Sequence, residues 1–498
     1  MNRPIRRVAV AVIVMIVLLL ANATYVQVIK ADGLRNDNRN SRVLLDEYSR
    51  ERGLIVAADG TVLAESVPTD NRFKYLRRYP TSPNAYAPVT GYFSLFYKSD
   101  RGLEHSENAI LNGNDDRLFS QRFMDLFSGR DPRGGNVVTT IDPKLQMTAF
   151  RALREGDCDG PCRGAVVALE PSTGKILAMA STPSYNPNEL AAQDAEEATA
   201  AWNSLNPDSP ASPLINRAIT ALYPPGSTFK VVTTATALDA GLPASTRLTS
   251  AARITLPDSA TMLPNDSGET CPGSTAGTVT LTQAFQYSCN TAFAQLVTEK
   301  LPDDPVQAFE KTAGDFGIDS KFPGIPLPVS TSTVGDIGDN DLAMLAQSSI
   351  GQRDVRLTVM QNALIAASVA NGGVRMRPYL VDKVQTADLR TVSTTSPSTL
   401  NRPLSPDQAD TLTDMMIRSE QATAGAQSGI ASKTGTAEPG DAGATTYAWY
   451  IGFAPSSNSR IAVAVVVENG SGGANSYGGV VAAPIGRAVM NAYTGGGR

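Results

Sequence analysis

Between Val8 and Ile29 the chain carries no charged side chain. As an α-helix that run is about 33 Å long, enough to cross the hydrocarbon of a bilayer. No other stretch approaches this length, so one span is expected. Arg3, Arg6 and Arg7 precede it. Basic residues stay on the cytoplasmic side, which places the remainder of the chain outside. Ala21-Asn22-Ala23 has the small-residue look of a signal-peptide cleavage site, but the apolar run continues through Thr-Tyr-Val-Gln-Val-Ile, which favours a retained anchor. Residues 1–29 are therefore read as a cytoplasmic stub and a single-pass plasma-membrane anchor, with the bulk of the protein extracytoplasmic.

The rest must fold in an oxidising compartment, and at 498 residues it is too long for one ordinary core. Four cysteines fit that compartment. Cys158 and Cys162 lie close together in CDGPC; Cys271 and Cys289 remain. Three pairings are open, and proximity favours Cys158–Cys162 with Cys271–Cys289. A zinc site fits the spacing poorly, and no metal is expected.

The chain has one histidine, His105, in RGLEHSENAIL, far from any candidate nucleophile and read as a surface residue. A Ser-His-Asp triad needs an imidazole beside its serine, so any hydrolase or transferase here needs another base. A net charge of −5 gives no basic face for nucleic acid.

From Lys30 to about Thr140 the chain is polar and turn-rich. ERGLIVAADGTVLAES reads as a hairpin around Asp59-Gly60. Asp142 and Pro143 read as N-cap and first residue of a helix. GAVVALEPSTGKILAMAS then reads as strand, turn, strand. Helical patterns follow at Ser227–Ala240, closed by Gly241, at TLTQAFQYSCNTAFAQLVTEKL, taken as one long helix, and at LTVMQNALIAASVANGG. The end is strand-like in SGIASKTGTAE, TTYAWYIGFAP and RIAVAVVVENG, then helical in APIGRAVMNAYT; the GGGR tail carries no added module. Helices packed on both faces of a mainly antiparallel sheet are expected for 143–498, and a mostly β domain for 30–142.

Three short motifs occur in order: Ser227-Thr-Phe-Lys230, Ser288-Cys-Asn290 and Lys433-Thr434-Gly435, followed by Thr436. Pro224-Pro225-Gly226 forms a rigid turn, so Ser227 opens a helix, with its hydroxyl near the positive helix end. Lys230 shares its face one turn on. A lysine becomes a base when burial or a second cation lowers its pKa, and Lys433 is a candidate for that cation. Gly435 permits close backbone approach, and Lys433, Thr434 and Thr436 suit an anionic group such as a peptide carboxylate. The backbone N–H groups of Ser227 and Thr436 are candidates for an oxyanion hole. Ser172-Thr-Gly-Lys175 matches the first motif too, but its Thr-Gly is turn chemistry between strands.

The ordered set resembles that of penicillin-binding proteins and serine β-lactamases. NRAITALYPPGSTFK, LTQAFQYSCNTAF, SIGQ ahead of ASVANGG, and ASKTGTAE carry the same likeness, and ERGLIVAADG and RGLEHSENAILNG look like motifs of the non-catalytic pedestal of class B members, the monofunctional D,D-transpeptidases. The resemblance implies a penicillin-binding transpeptidase fold and cross-linking of peptidoglycan stem peptides ending in D-Ala-D-Ala, in cell division or growth, without a cofactor. It implies that Ser227 attacks, Lys230 takes its proton, Ser288 relays a proton to the leaving amine, Asn290 orients the substrate amide, and Lys433, Thr434 and Thr436 hold the terminal carboxylate. β-Lactams would acylate the same serine. Two features depart from the pattern: Cys289 replaces the aspartate of S-D-N, and Arg353-Asp354 follow SIGQ where many relatives carry glycine. The roughly 110 residues ahead of the catalytic part are too few for a glycosyltransferase, so a membrane glycan polymerase and division proteins are the implied partners. The rival readings are a D,D-carboxypeptidase or β-lactamase, in which water resolves the same ester, and a scaffold with a dispensable site.

Overall fold

The computed structural model describes residues 2–30, 48–99, 101–129, 133–266, 268–302, 304–338, 341–438, 445–471 and 476–495. The first part of the expected 30–142 domain and the end of the GGGR tail lie outside the described residues.

At the centre stands a five-stranded sheet: β1 (Gly164–Leu169), β2 (Ile176–Thr182), β3 (Ala431–Ala437), β4 (Tyr447–Ala454) and β5 (Ile461–Val467), in the order β3-β4-β5-β1-β2. Every neighbouring pair is antiparallel. β5 reads Ile-Ala-Val-Ala-Val-Val-Val and is buried throughout. It does not alternate because helices cover both faces. Successive side chains of a strand point to opposite faces. On β4, Trp449 therefore points towards the segment before Ser227, where its indole Nε1 donates to Pro224 O at 2.9 Å. Tyr450 points the other way, against Gly486 of the C-terminal helix Gly478–Thr494. That helix also packs on Pro143–Arg154, which Asp142 caps by accepting from Leu145 N at 3.0 Å. The helix Val359–Ala370 covers β1 and β5.

A second, six-stranded sheet contains the Asp59-Gly60 hairpin, Ile55–Val56 with Val62–Pro68, together with Tyr75–Arg78 and Asn136–Thr139. Its other two strands, Val381–Gln385 and Thr391–Thr394, come from far along the chain. Val384 pairs with Val137, and Ile55 with Val137 in parallel on the other side. The two parts thus share one sheet. Short helices such as Pro83–Thr90 and Phe119–Phe127 lie among the strands, so this region is less exclusively β than its turn-rich sequence implies.

A buried carboxylate organises this part. Glu104, fully buried, accepts from Arg52 Nε and Arg77 Nε at 2.6 Å each. Burial pushes its carboxyl up, but the two guanidiniums outweigh that and hold it below the usual range. ERG and RGLE, 50 residues apart, are therefore one ion-paired cluster.

One expected element is broken. TLTQAFQYSCNTAFAQLVTEKL forms two helices, Leu281–Gln286 and Asn290–Gln295, not one. Between them Cys289 N donates to Ala284 O and Ser288 N to Phe285 O. This is the bonding of a helix end closed by a left-handed residue, and Ser288 takes that position with φ 60°. The apolar spacing runs straight through the stop, and a serine stands where glycine would ordinarily signal it.

Candidate active site

The Pro224-Pro225-Gly226 turn is clamped on three sides. Trp449 holds Pro224 through its indole. Gly226 N donates to Gly351 O at 2.9 Å, and Tyr223 and Leu357 exchange backbone hydrogen bonds. The approach is so close that a Cβ on Gly226 would lie 2.5 Å from Thr436 O, and one on Gly351 2.2 Å from Gly226 O. Both glycines also have positive φ, 53° and 72°. The SIGQ loop therefore braces the nucleophile turn, and Arg353 just beyond it is left-handed too, with φ 61°.

From this turn a short 3-10 segment, Gly226–Phe229, leads into the helix Lys230–Asp239. Ser227 is 6% exposed and Lys230 fully buried. Lys230 Nζ lies 3.0 Å from Ser227 Oγ, 2.7 Å from Ser288 O, 3.2 Å from Ser288 Oγ and 2.7 Å from Asn290 Oδ1. The break between the two helices is what delivers Ser288 and Asn290 here. Lys433 Nζ comes from β3 and donates to Ser288 Oγ at 3.0 Å and to Thr434 O at 2.9 Å.

Two lysines around one hydroxyl cannot both stay charged without cost. Burial, then the charge of Lys433, drives the Lys230 ammonium well below the usual lysine range, against an opposing pull from Asp266. Burial lowers Lys433 to about 8, again opposed by Asp266. The charge of Lys433 thus ranks behind burial among the causes of the Lys230 shift.

Strand alternation separates the residues of the third motif. Lys433 and Gly435 face the nucleophile turn, and a Cβ on Gly435 would lie 2.8 Å from Pro225 O. Thr434 and Thr436 face the other side and are half-exposed, near the start of the C-terminal helix, whose Gly478 N donates to Thr436 Oγ1 at 3.5 Å. β3 is also an edge strand, so one side of its backbone is open to an extended ligand.

Sequence reasoning missed Asp266. Its Oδ1 accepts from Asn290 Nδ2 at 2.7 Å, yet nothing in the surrounding PNDSGET marks it. Cys271 and Cys289 are bonded, as are Cys158 and Cys162. The Cys271–Cys289 bridge ties the loop bearing Asp266 to the residue between Ser288 and Asn290. Ser172 and Lys175 sit in the β1–β2 turn, where Gly174 has φ 84°, and Lys175 Nζ lies 3.9 Å from Asp382. His105 is exposed, with Nδ1 2.7 Å from Ser99 O.

A buried serine–lysine pair on a helix start, faced by a second serine and by a lysine on an edge strand, defines the serine acyl-transferase class with a lysine base. Residues 164–491 match the penicillin binding protein transpeptidase domain and residues 52–137 the penicillin binding protein A dimerisation domain. The chain belongs to the penicillin-binding protein transpeptidase family and is an enzyme of that family. It is 57% identical over 501 residues to the peptidoglycan D,D-transpeptidase PbpA of Mycolicibacterium smegmatis, covering 99% of both chains. It is 53% identical over 500 residues to PbpA of Mycobacterium tuberculosis, again covering 99% of each. The ceftriaxone acyl-enzyme structure of penicillin-binding protein A from M. tuberculosis superimposes with a TM-score of 0.85 at 52% identity, over 90% of this chain and 99% of that one.

Proposed function

We propose that the chain is a peptidoglycan D,D-transpeptidase working through an ester on Ser227. The bonding of Lys230 carries the reading. A neutral amine has two N–H bonds and one lone pair. Asn290 Oδ1 and Ser288 O, both at 2.7 Å, accept the two N–H bonds. The lone pair is left for the Ser227 proton at 3.0 Å.

Ser227 Oγ attacks the carbonyl of the penultimate D-Ala while its proton passes to Lys230. The backbone N–H groups of Ser227 and Thr436 receive the oxyanion, each worth about 3–4 kcal/mol of barrier. As the C–N bond breaks, the departing D-Ala amine takes a proton through Ser288, whose Oγ lies between Lys230 and Lys433. A second stem peptide's amine attacks the ester, its proton leaves by the same relay, and Ser227 is restored as the cross-link forms. The hydroxyls of Thr434 and Thr436 bind the terminal carboxylate, Asn290 orients the substrate amide, and Lys433 supplies the field. A β-lactam opens on the same serine, but its leaving amine stays attached.

Residues 143–498 carry this chemistry, and 30–142 serve as the pedestal. The apolar helical run Arg3–Ile29, of mean hydropathy 2.5, anchors the chain in the plasma membrane with its catalytic part outside. The two disulfides agree with that compartment. Glycan strands come from a membrane polymerase, in company with division proteins.

The test is to supply a D-Ala-D-Ala pentapeptide glycan with and without an amine acceptor. Release of D-Ala together with a cross-linked dimer by mass supports the reading. Release of D-Ala into tetrapeptide alone, with acceptor present, makes the enzyme a carboxypeptidase.

A further inference from the structure

The helix Phe119–Phe127 is packed inside out. Gln121 and Asp125 are buried, while Phe119, Phe123, Met124 and Phe127 are 62%, 52%, 63% and 83% exposed. Polar bonds fix that orientation. Gln121 Nε2 donates to Arg133 O at 3.0 Å, Gln121 Oε1 accepts from Ala387 N at 3.0 Å, and Asp125 lies 3.8 Å from Arg133. The three rings form an outward row at i, i+4 and i+8, with centroids 6.4 and 5.7 Å apart. At about 200 Å² per ring, the exposed row and Met124 amount to on the order of 500 Å² of apolar surface, near the upper limit for a soluble monomer.

The position of the tether says what covers it. Residues 31–47 join the anchor to Tyr48 and reach at most about 60 Å. The chain enters the fold beside this helix: Arg50 Nη1 donates to Asn114 Oδ1 at 3.2 Å, Gly53 N to Leu111 O at 2.8 Å, and Gly134 N to Glu51 O at 2.8 Å. Both segments flanking the helix thus hold residues 50–53. Arg122 lies on the helix and Arg117 just before it, ion-paired with Asp116 at 3.9 Å and with Asp115 at 2.8 Å respectively.

We propose that the outward face of Phe119–Phe127 dips into the lipid headgroup region, giving the molecule a second membrane contact beside its anchor. This rests on the reading of residues 3–29 as a membrane anchor. The test uses the full chain in phosphatidylcholine–phosphatidylglycerol vesicles with Phe123→Trp as reporter and acyl chains brominated near the headgroup. Flotation with the vesicles reports the anchor separately, and penicillin acylation at the parent rate reports an intact fold. In floated protein, the emission added by the substitution should be blue-shifted and at least half quenched by bromine, at one chain per vesicle as at many. A Tyr287→Trp control should remain unquenched. Water-like, unquenched emission from the Phe123→Trp protein that has floated overturns the proposal. So does emission shielded only at high protein-to-lipid ratio, which assigns the face to a second copy, or only when a membrane polymerase is added, which assigns it to that partner.

Discussion

Asp266 Oδ1 accepts from Asn290 Nδ2 at 2.7 Å and Pro264 O from the same nitrogen at 3.3 Å, and these bonds set which end of the Asn290 amide meets Lys230. An ionised carboxylate only accepts, so Nδ2 must face Asp266 and Oδ1 must face Lys230. The acceptor set that frees the Lys230 lone pair is thus set from a loop outside all three motifs. Asp266→Ala should slow acylation by penicillin about 10-fold, equal to about 1.4 kcal/mol of barrier. Asp266→Asn keeps an acceptor and should restore most of the plateau rate. Both remove a charge that raises the Lys230 and Lys433 pKa values. The acid limb of the rate profile, where Lys230 loses its proton to become a base, should move to lower pH in both. A purely structural Asp266 would change the rate without moving the limb.

Lys433 gives the profile its other limb. Its ammonium titrates at about 8, and above that value it no longer donates with full charge to Ser288. Acylation should fall as pH rises through 8. Lys433→Gln should remove the alkaline limb, lower the plateau by about 100-fold, and move the acid limb upward, since the charge that depresses Lys230 is gone. Stopped-flow acylation rates, followed across the alkaline limb and down in pH until the acid limb is reached, measure all three.

The two disulfides should behave differently. Cys271–Cys289 closes a loop of 18 residues that contains Ser288 and follows the Asp266 segment; removing it should cost about 3 kcal/mol by loop entropy and also slow acylation. Cys158–Cys162 closes a loop of 4 residues beside the end of β5; its loss should cost about 2 kcal/mol and leave the acylation rate unchanged. Paired Cys→Ala variants, by thermal unfolding and acylation, separate the two.

Glu104 should control stability without touching chemistry. Glu104→Gln leaves Arg52 and Arg77 buried without their counter-charge, a loss of about 3–5 kcal/mol. Because the folded carboxyl titrates below its unfolded value, its contribution is complete above about pH 4.3 and is lost as pH falls through the lowered folded value. The variant's stability deficit, measured by thermal unfolding, should therefore shrink in strong acid.

What could be read from sequence was what local chemistry writes down. The Asp142 cap, the Asp59-Gly60 hairpin, the Gly241 stop and the three final strands each announce themselves within a few residues. The break at Ser288 does not, because its left-handed serine is held by the Lys230 bond to Ser288 O and by the Cys271–Cys289 bridge rather than by a glycine. Asp266 is invisible for a similar reason: its role comes from a loop folded back over 24 residues. The strands of 381–394 could not be assigned to the N-terminal sheet, since their partners lie some 250 residues away.

The most direct test concerns Ser227 itself. Wild type, Ser227→Ala and Ser172→Ala should be treated with a fluorescent penicillin and the adduct mapped by peptide mass. The account predicts one adduct on Ser227, labelling of Ser172→Ala at the wild-type rate, and none of Ser227→Ala. A covalent adduct on folded Ser227→Ala, or one mapped to Ser172, would contradict it.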